Sequence, residues 1–453
     1  MSHEHAPATA DAHDEAPTKL KRGITGPLLF VFILGDVLGA GIYALTGVLS
    51  AEVGGVLWLP LLLALLLALL TAGSYAELVT KYPRAGGAAV FAQRAYRSPI
   101  VSFLVGFCML AAGVVSAAGL ALAFGDYLSA LVPIAPALAA PLFLLLVAAL
   151  NARGIRESMA GNVVMTVIEL TGLLLIIVAV AVMLGGGGGN VEHIGEFPPG
   201  ANPALATLAA AIIAYYSFVG FETSANMVEE LQNPRRTYPR ALFGSLLVAG
   251  VVYVLVALAS AIALPPEELA GSTSPLLDVF AATGVPMPAW IFGVIALVAV
   301  ANGALLTMIM ASRLTFGMAE QGLLPSALGR VLPRRRTPWV AILVTTLVAI
   351  GITFVGDLGT LAETVVLLLL FVFLSTNIAV LVLRRDRVER GHFRVWTWVP
   401  VLGIGSCILL LSQQEPHVWL FGAIAIAVGL VAYVASGGLR RRPAALEGAV
   451  DER

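Results

Sequence analysis

Of 453 residues, 59% are hydrophobic and only 12% are charged, about half the charged share of an ordinary soluble domain, which excludes a soluble globule and places the chain in lipid. The 46 Gly and 25 Pro follow no collagen-like period and build no low-complexity tract; most lie within or between long apolar runs, where membrane helices tolerate them. A formal net charge of -1, from 26 basic and 27 acidic side chains, gives no electrostatic ground for a nucleic-acid partner.

The first 25 residues are polar, carry His3, His5 and His13, and lack the apolar core and cleavage site of a signal peptide; they read as a disordered cytoplasmic tail. Beyond them the chain falls into apolar runs of the length, about 20 residues, that carries a helix across a bilayer. Twelve are expected, at 26–50, 55–80, 98–132, 135–151, 158–184, 204–227, 238–264, 287–316, 337–355, 358–383, 395–411 and 417–436. They divide the chain into a first set of five spans (26–184), an outer loop with a glycine tract (185–203), a second set of five (204–383), two closing spans (384–436) and a polar tail (437–453).

The basic residues test this count, because Lys and Arg collect in cytoplasmic loops. With both termini inside, one side receives every Lys and Arg, from Lys19 through Arg84, Arg153, Arg235, Arg313, Arg336 and Arg384 to Arg453. The opposite loops hold Glu52, Glu192, Glu196, Glu267, Glu268, Asp278, Asp357 and Glu415, and no basic residue. A missed or invented span would invert every later loop and destroy that segregation. The expected location is therefore the plasma membrane, crossed many times, with the bilayer itself as a partner.

Two spans carry signs of interruption. In the first, Gly35-Asp36-Val37-Leu38-Gly39-Ala40-Gly41-Ile42 sets glycines on either side of one small residue near mid-membrane. Such a run serves either close packing of helices through small residues or a break whose freed amides point at an anion from a half-helix dipole. The sixth span decides for the break: Tyr216-Ser217-Phe218-Val219-Gly220-Phe221-Glu222-Thr223 places a glycine and an acid at depth. Transporters built from inverted repeats interrupt the corresponding helix in each half, and a repeat of five spans necessarily inserts its second copy upside down.

These residues resemble the amino acid permeases of the amino acid, polyamine and organocation superfamily. Leu38 to Tyr43 looks like that family's first-helix signature. The run from Tyr82 through Pro83 to Gly87 is similar to its motif after the second helix. Ser217 to Glu222, continuing through Glu229 to Arg236 and on to Arg240, resembles its sixth-helix and following-loop motif, and Ala311 to Arg313 through Pro325 to Pro338 its eighth-helix end. The resemblance implies an all-α, leucine-transporter-like fold of twelve helices. Five spans plus five inverted spans, with helices one and six broken, form the core, and two helices follow. It also implies an amino acid substrate, whose carboxylate would meet the amides of Ala40, Gly41 and Ile42, beside Gly39. Its ammonium would meet the carbonyls of Val37, Phe218 and Val219, beside Gly220. Tyr216 matches an aromatic gating position, and Thr307 a pocket position facing the substrate side chain.

Ionisable groups at membrane depth are costly and therefore candidates for function. Asp36 precedes the first break by one turn, Glu222 opens the second half of the sixth span, and Glu169 lies about 18 Å into the fifth, counted from Glu157 at 1.5 Å per residue. Many proton-coupled members resemble one another in a lysine where this chain has Glu169. A glutamate there admits three roles: a protonated donor to a freed carbonyl of the first helix, a proton carrier, or a cation ligand. Glu222 is either a helix cap or a proton sensor. The eighth span offers no adjacent Ser or Thr pair for sodium, so a proton is the expected coupling partner, with amine exchange as the alternative.

Catalysis and resident cofactors or metals are not expected. No histidine lies well inside a span, no zinc spacing is present, and Cys108 and Cys407 stand in separate apolar runs. The expected pocket lining, from Met109 to Ser116 with Thr223, Ser224 and Thr307, holds no certain counter-charge and favours neutral amino acids. Cationic amino acids or polyamines stay open through Asp36, Glu169 and Glu222, as does a sensor that binds without transport.

Overall fold

The computed structural model describes residues 24–39, 41–83, 87–153, 158–332, 337–386, 388 and 391–436. Among them the chain is helical, with no strand beyond one isolated bridge between Ile24 and Leu231. In order the helices are α1 (Gly26–Leu38), α2 (Gly41–Val53), α3 (Trp58–Lys81), α4 (Gly87–Tyr96), α5 (Pro99–Ser129), α6 (Pro136–Arg153), α7 (Ser158–Gly185) and α8 (Pro203–Tyr216). After a 3₁₀ segment, Phe221–Glu230, follow α9 (Pro234–Ala263), α10 (Pro266–Gly271), α11 (Pro275–Ala282), α12 (Ala289–Glu320), α13 (Trp339–Ile352), α14 (Leu358–Leu383), α15 (Trp398–Ser412) and α16 (Pro416–Ala435).

Local chemistry sets many of these boundaries. Proline opens α5, α6, α8, α9 and α16, where its missing N–H costs nothing. The Asn202 side chain caps α8 by accepting from the amides of Ala204 and Leu205, at 3.1 and 3.3 Å, and Asp357 caps α14 by accepting from Thr360 at 3.0 Å. The tight turn expected between the ninth and tenth runs is held by that Asp357 cap.

Each expected run forms a helix or a pair of helix segments, and ten, counting the two broken ones whole, are long and apolar enough to cross a bilayer. The ninth and eleventh runs give only α13 and α15, of 14 and 15 residues, roughly 21–22 Å against a hydrocarbon core about 30 Å thick. The apolar runs outlast these helices because Thr353 to Val355 turn back on the end of α13, while 395–397 precede α15 in irregular backbone.

Packing follows an exchange rule. The helix α1 packs on α9 and α7, and α8 packs on α3 and α14; α5 packs on α14, α6 and α13, and α12 on α7, α13 and α6. Replacing each helix of the first set by its counterpart in the second turns each pairing into another on the same list, while α3·α9 and α5·α12 map onto themselves. The connecting helices obey it too: α4 lies against the 3₁₀ segment, and α10 and α11 lie against α2.

The outer faces are apolar. On α7, Val164, Val167, Leu174, Val178 and Val182 are exposed, whereas Asn162, Thr166, Glu169, Leu173 and Ile176 are buried at helical spacing. A helix with its polar stripe inward and its valines outward is the pattern of a protein solvated by lipid, and it turns Glu169 toward α1 and α12.

Candidate functional site

Both interruptions are present. The helix α1 ends at Leu38, and Gly39 donates its amide to the Gly35 carbonyl at 3.2 Å before α2 starts at Gly41; Ala40 lies outside the described residues. Gly41 and Ile42 occupy the first turn of α2, where amides have no carbonyl of their own helix to meet. The second interruption follows Tyr216. The amides of Ser217, Phe218 and Val219 each donate three residues back at 3.0 Å, and Gly220 then takes φ +121°, a conformation glycine alone adopts without strain. The chain continues as the 3₁₀ segment, not as α-helix.

The breaks touch. A side chain on Gly41 would collide with the Ser217 backbone, and one on Gly220 would lie 2.8 Å from the Asp36 carbonyl oxygen. Gly39 lies against Gly303 of α12, whose Cα would be 3.2 Å from a Cβ on Gly39. Glycine is thus required on both sides of the junction by close backbone approach, and at Gly220 by dihedral angle as well.

A cavity opens beside this junction, between α1, α2, α5, the second break, α12 and α14. Of the residues singled out in the sequence, Asp36, Val37, Gly41, Tyr216, Val219, Gly220, Glu222 and Thr307 line it. Gly39, Ile42, Phe218 and Glu169 do not. The Phe218 ring is fully buried and packs on Tyr253, centroids 5.3 Å apart. From α5 come Met109, Ala112, Gly113 and Ser116, and Thr223 joins from the 3₁₀ segment; Ser224 turns away, its hydroxyl 3.0 Å from that of Tyr238. Gly303 and Met310 of α12, Leu120 of α5 and Val365 and Leu369 of α14 complete the wall.

The polar groups are placed by contacts across the junction. The Thr223 hydroxyl donates to Asp36 Oδ2, tying the second break to α1, and lies 2.8 Å from the Gly220 carbonyl. Glu222 accepts from the Gly220 amide at 2.9 Å, so its carboxylate satisfies a donor freed by the break, reaching back from inside the segment and not from the cap position itself. Tyr216 and Ser116 join hydroxyls at 2.9 Å across the cavity, while Thr307 turns its hydroxyl to its own helix, donating to Gly303 at 2.7 Å. The Val37 carbonyl takes a hydrogen bond from Tyr253 of α9, at 2.5 Å, which engages one of its two lone pairs.

Glu169 is fully buried next to the cavity, not in it. Its backbone carbonyl accepts from Tyr43 at 2.9 Å, but neither carboxyl oxygen has a partner in hydrogen-bonding geometry, so a bond to a freed carbonyl of the first helix is not formed here. The Asn302 amide of α12 faces the carboxyl group. Asn302 donates to Asn162 at 3.3 Å, and Thr166 donates to the same Asn162 oxygen at 2.9 Å. Tyr253, Asn302 and Asn162 were not anticipated; a polar side chain facing inward on an apolar helix was the one available signal.

An amino acid permease family model matches residues 26–435. The chain belongs to this family. Similar proteins include a methylthioribose transporter of Bacillus subtilis (strain 168), 28% identical over 88% of this chain and 90% of the relative. A branched-chain amino acid permease of the same organism is 27% identical over 91% and 92%. Cationic amino acid transporter 4 of Mus musculus is 30% identical over 80% of this chain and 60% of its own length. The permease family and these relatives are transporters, not enzymes, and the chain is a multi-pass membrane protein.

Proposed function

We propose that this permease is a secondary active transporter that moves a small amino-bearing solute across the plasma membrane by alternating access. One observation carries the reading: two helix interruptions, about 180 residues apart in sequence, touch each other and meet at one cavity that Gly41 and Gly220 both line. An amino acid needs donors at one end and acceptors at the other. The amides of Gly41 and Ile42 supply the first and the loosened backbone around Val219 the second, without a fixed charge at the carboxylate end. The exchange rule in helix packing supports a core of two inverted five-helix repeats, 26–184 and 204–383, joined by loop 185–203 and followed by helices in 384–436. On this reading α13 and α15 complete twelve crossings, reaching both surfaces by local thinning of the bilayer, and both termini are cytoplasmic.

Protons are the proposed driving ion. Glu169 lies beside the first break with both carboxyl oxygens unpartnered, a setting that a neutral carboxyl tolerates far better than a charged one. A proton taken up and released there as α1 moves against α7 would couple the gradient to the cycle. Neutral amino acids fit the apolar walls of α5 and α14; the grounds for preferring them were a lining without counter-charge, and Asp36 in the wall is the observation that favours the cationic alternative. The test of transport is counterflow in liposomes. A carrier exchanges labelled for unlabelled amino acid across the bilayer, whereas a sensor binds without accumulating label, and that second result would end this reading.

A further inference from the structure

We propose that Asp36 is a direct ligand for a positively charged group of the substrate and makes the site select ammonium-bearing solutes of net positive charge. The inference rests on the transport reading and concerns the same cavity.

Asp36 is only partly buried, and it lines the cavity. Its Oδ2 is held by the Thr223 hydroxyl, while Oδ1 receives no hydrogen bond among the described residues. The neighbouring acceptors each hold one bond already, the Val37 carbonyl from Tyr253 and Glu222 Oε2 from the Gly220 amide. Asp36 Oδ1 is an open carboxyl acceptor where the two breaks meet, on a side chain positioned by Thr223 across the junction. Charge points the same way. Among the described residues the cavity lining contains two carboxyl groups, Asp36 and Glu222, and no Lys, Arg or His. A zwitterion brings no net charge and leaves an ionised Asp36 uncompensated in a poorly solvated site, which is costly. A solute with a surplus ammonium neutralises it through a charge-assisted hydrogen bond. Met109, Val365 and Leu369 supply the apolar wall along which an aliphatic chain can lie.

Lysine and norleucine share every group except the terminal ammonium, and cadaverine keeps lysine's ammonium groups without the carboxylate. Counterflow of all three in liposomes containing the full chain reads the inference directly. The expected result is a preference for lysine over norleucine of at least about tenfold, the size of one charge-assisted bond. Asp36→Asn, which keeps the shape and an acceptor for Thr223, should bring that ratio close to one by raising KM for lysine far more than for norleucine. Asp36→Glu should retain the cation preference. Cadaverine uptake that depends on Asp36 assigns an amine as a substrate; refusal of cadaverine with uptake of lysine assigns a cationic amino acid whose carboxylate is also read, and either agrees with the proposal. Equal wild-type handling of lysine and norleucine, or an unchanged ratio in Asp36→Asn, overturns it while leaving transport intact. Exchange of none of the three, nor of any amino acid, overturns the transport reading instead.

Discussion

The Tyr253 hydroxyl donates to the Val37 carbonyl at 2.5 Å, linking α9 to the last turn of α1 at the lip of the first break. That bond satisfies a carbonyl the interruption would otherwise leave exposed to an apolar interior. Tyr253→Phe removes the donor and orphans a buried acceptor, and should destabilise the protein by about 1–3 kcal/mol. Thermal unfolding in detergent should show a clear downward shift, with the Phe218 contact to the ring retained. An unchanged melting temperature would mean that the carbonyl finds another donor.

Glycine at position 220 is required twice over, by φ +121° and by the Asp36 carbonyl 2.8 Å from any added Cβ. Gly220→Ala should therefore cost about 1–3 kcal/mol in backbone strain alone and push the second break away from α1. Counterflow should fall at least about tenfold in protein that still elutes as a single folded species. Full activity in the alanine variant would show that the two breaks need not touch.

Glu169 supplies the pH test. If it carries the coupled proton, an inward gradient, acid outside, should accelerate accumulation by the native protein, and an outward one should slow it. Glu169→Gln cannot exchange the proton; accumulation should lose its dependence on the gradient while counterflow continues at neutral pH. Equal sensitivity to the gradient in both proteins would remove Glu169 from the coupling path.

At the basic end of α14, Arg384 forms a bidentate pair with Glu77 of α3, at 2.9 and 2.7 Å, and also donates to the Val395 carbonyl. The Glu77 carboxylate accepts a third bond from the Val395 amide at 3.0 Å and is almost fully buried. Arg384→Ala leaves that charge unpaired and should cost about 3–5 kcal/mol. Adding Glu77→Gln should restore part of the loss, because a neutral amide still accepts from Val395. Detergent unfolding of the single and double variants measures both, and no recovery in the double variant would contradict the charge argument.

Much of this was legible in the chain itself, for physical reasons. Membrane spans declare themselves by length, because lipid demands about 20 apolar residues in sequence, and both breaks are marked by glycine, through close backbone approach at Gly39 and Gly41 and through a positive φ at Gly220. Thr223 and Ser224 were indistinguishable beforehand: the segment is 3₁₀, three residues per turn, so neighbours point about 120° apart, one at Asp36 and the other at Tyr238. Tyr253 and Asn302 show locally only as polar groups on apolar helices, because their partners stand more than a hundred residues away. The same holds for Glu77, whose partner Arg384 stands 307 residues further along the chain. The shortness of α13 and α15 was hidden because an apolar residue in a turn looks like one in a helix.

If one small solute is held where the two interrupted helices meet, an electron cryomicroscopy structure of the protein saturated with lysine should show it there. Ligand density is expected between the Gly41 and Ile42 amides and the Asp36 carboxylate, against Tyr216 and Val219. Density elsewhere, or continuous helix through 38–42 and 216–222, would rule that binding mode out.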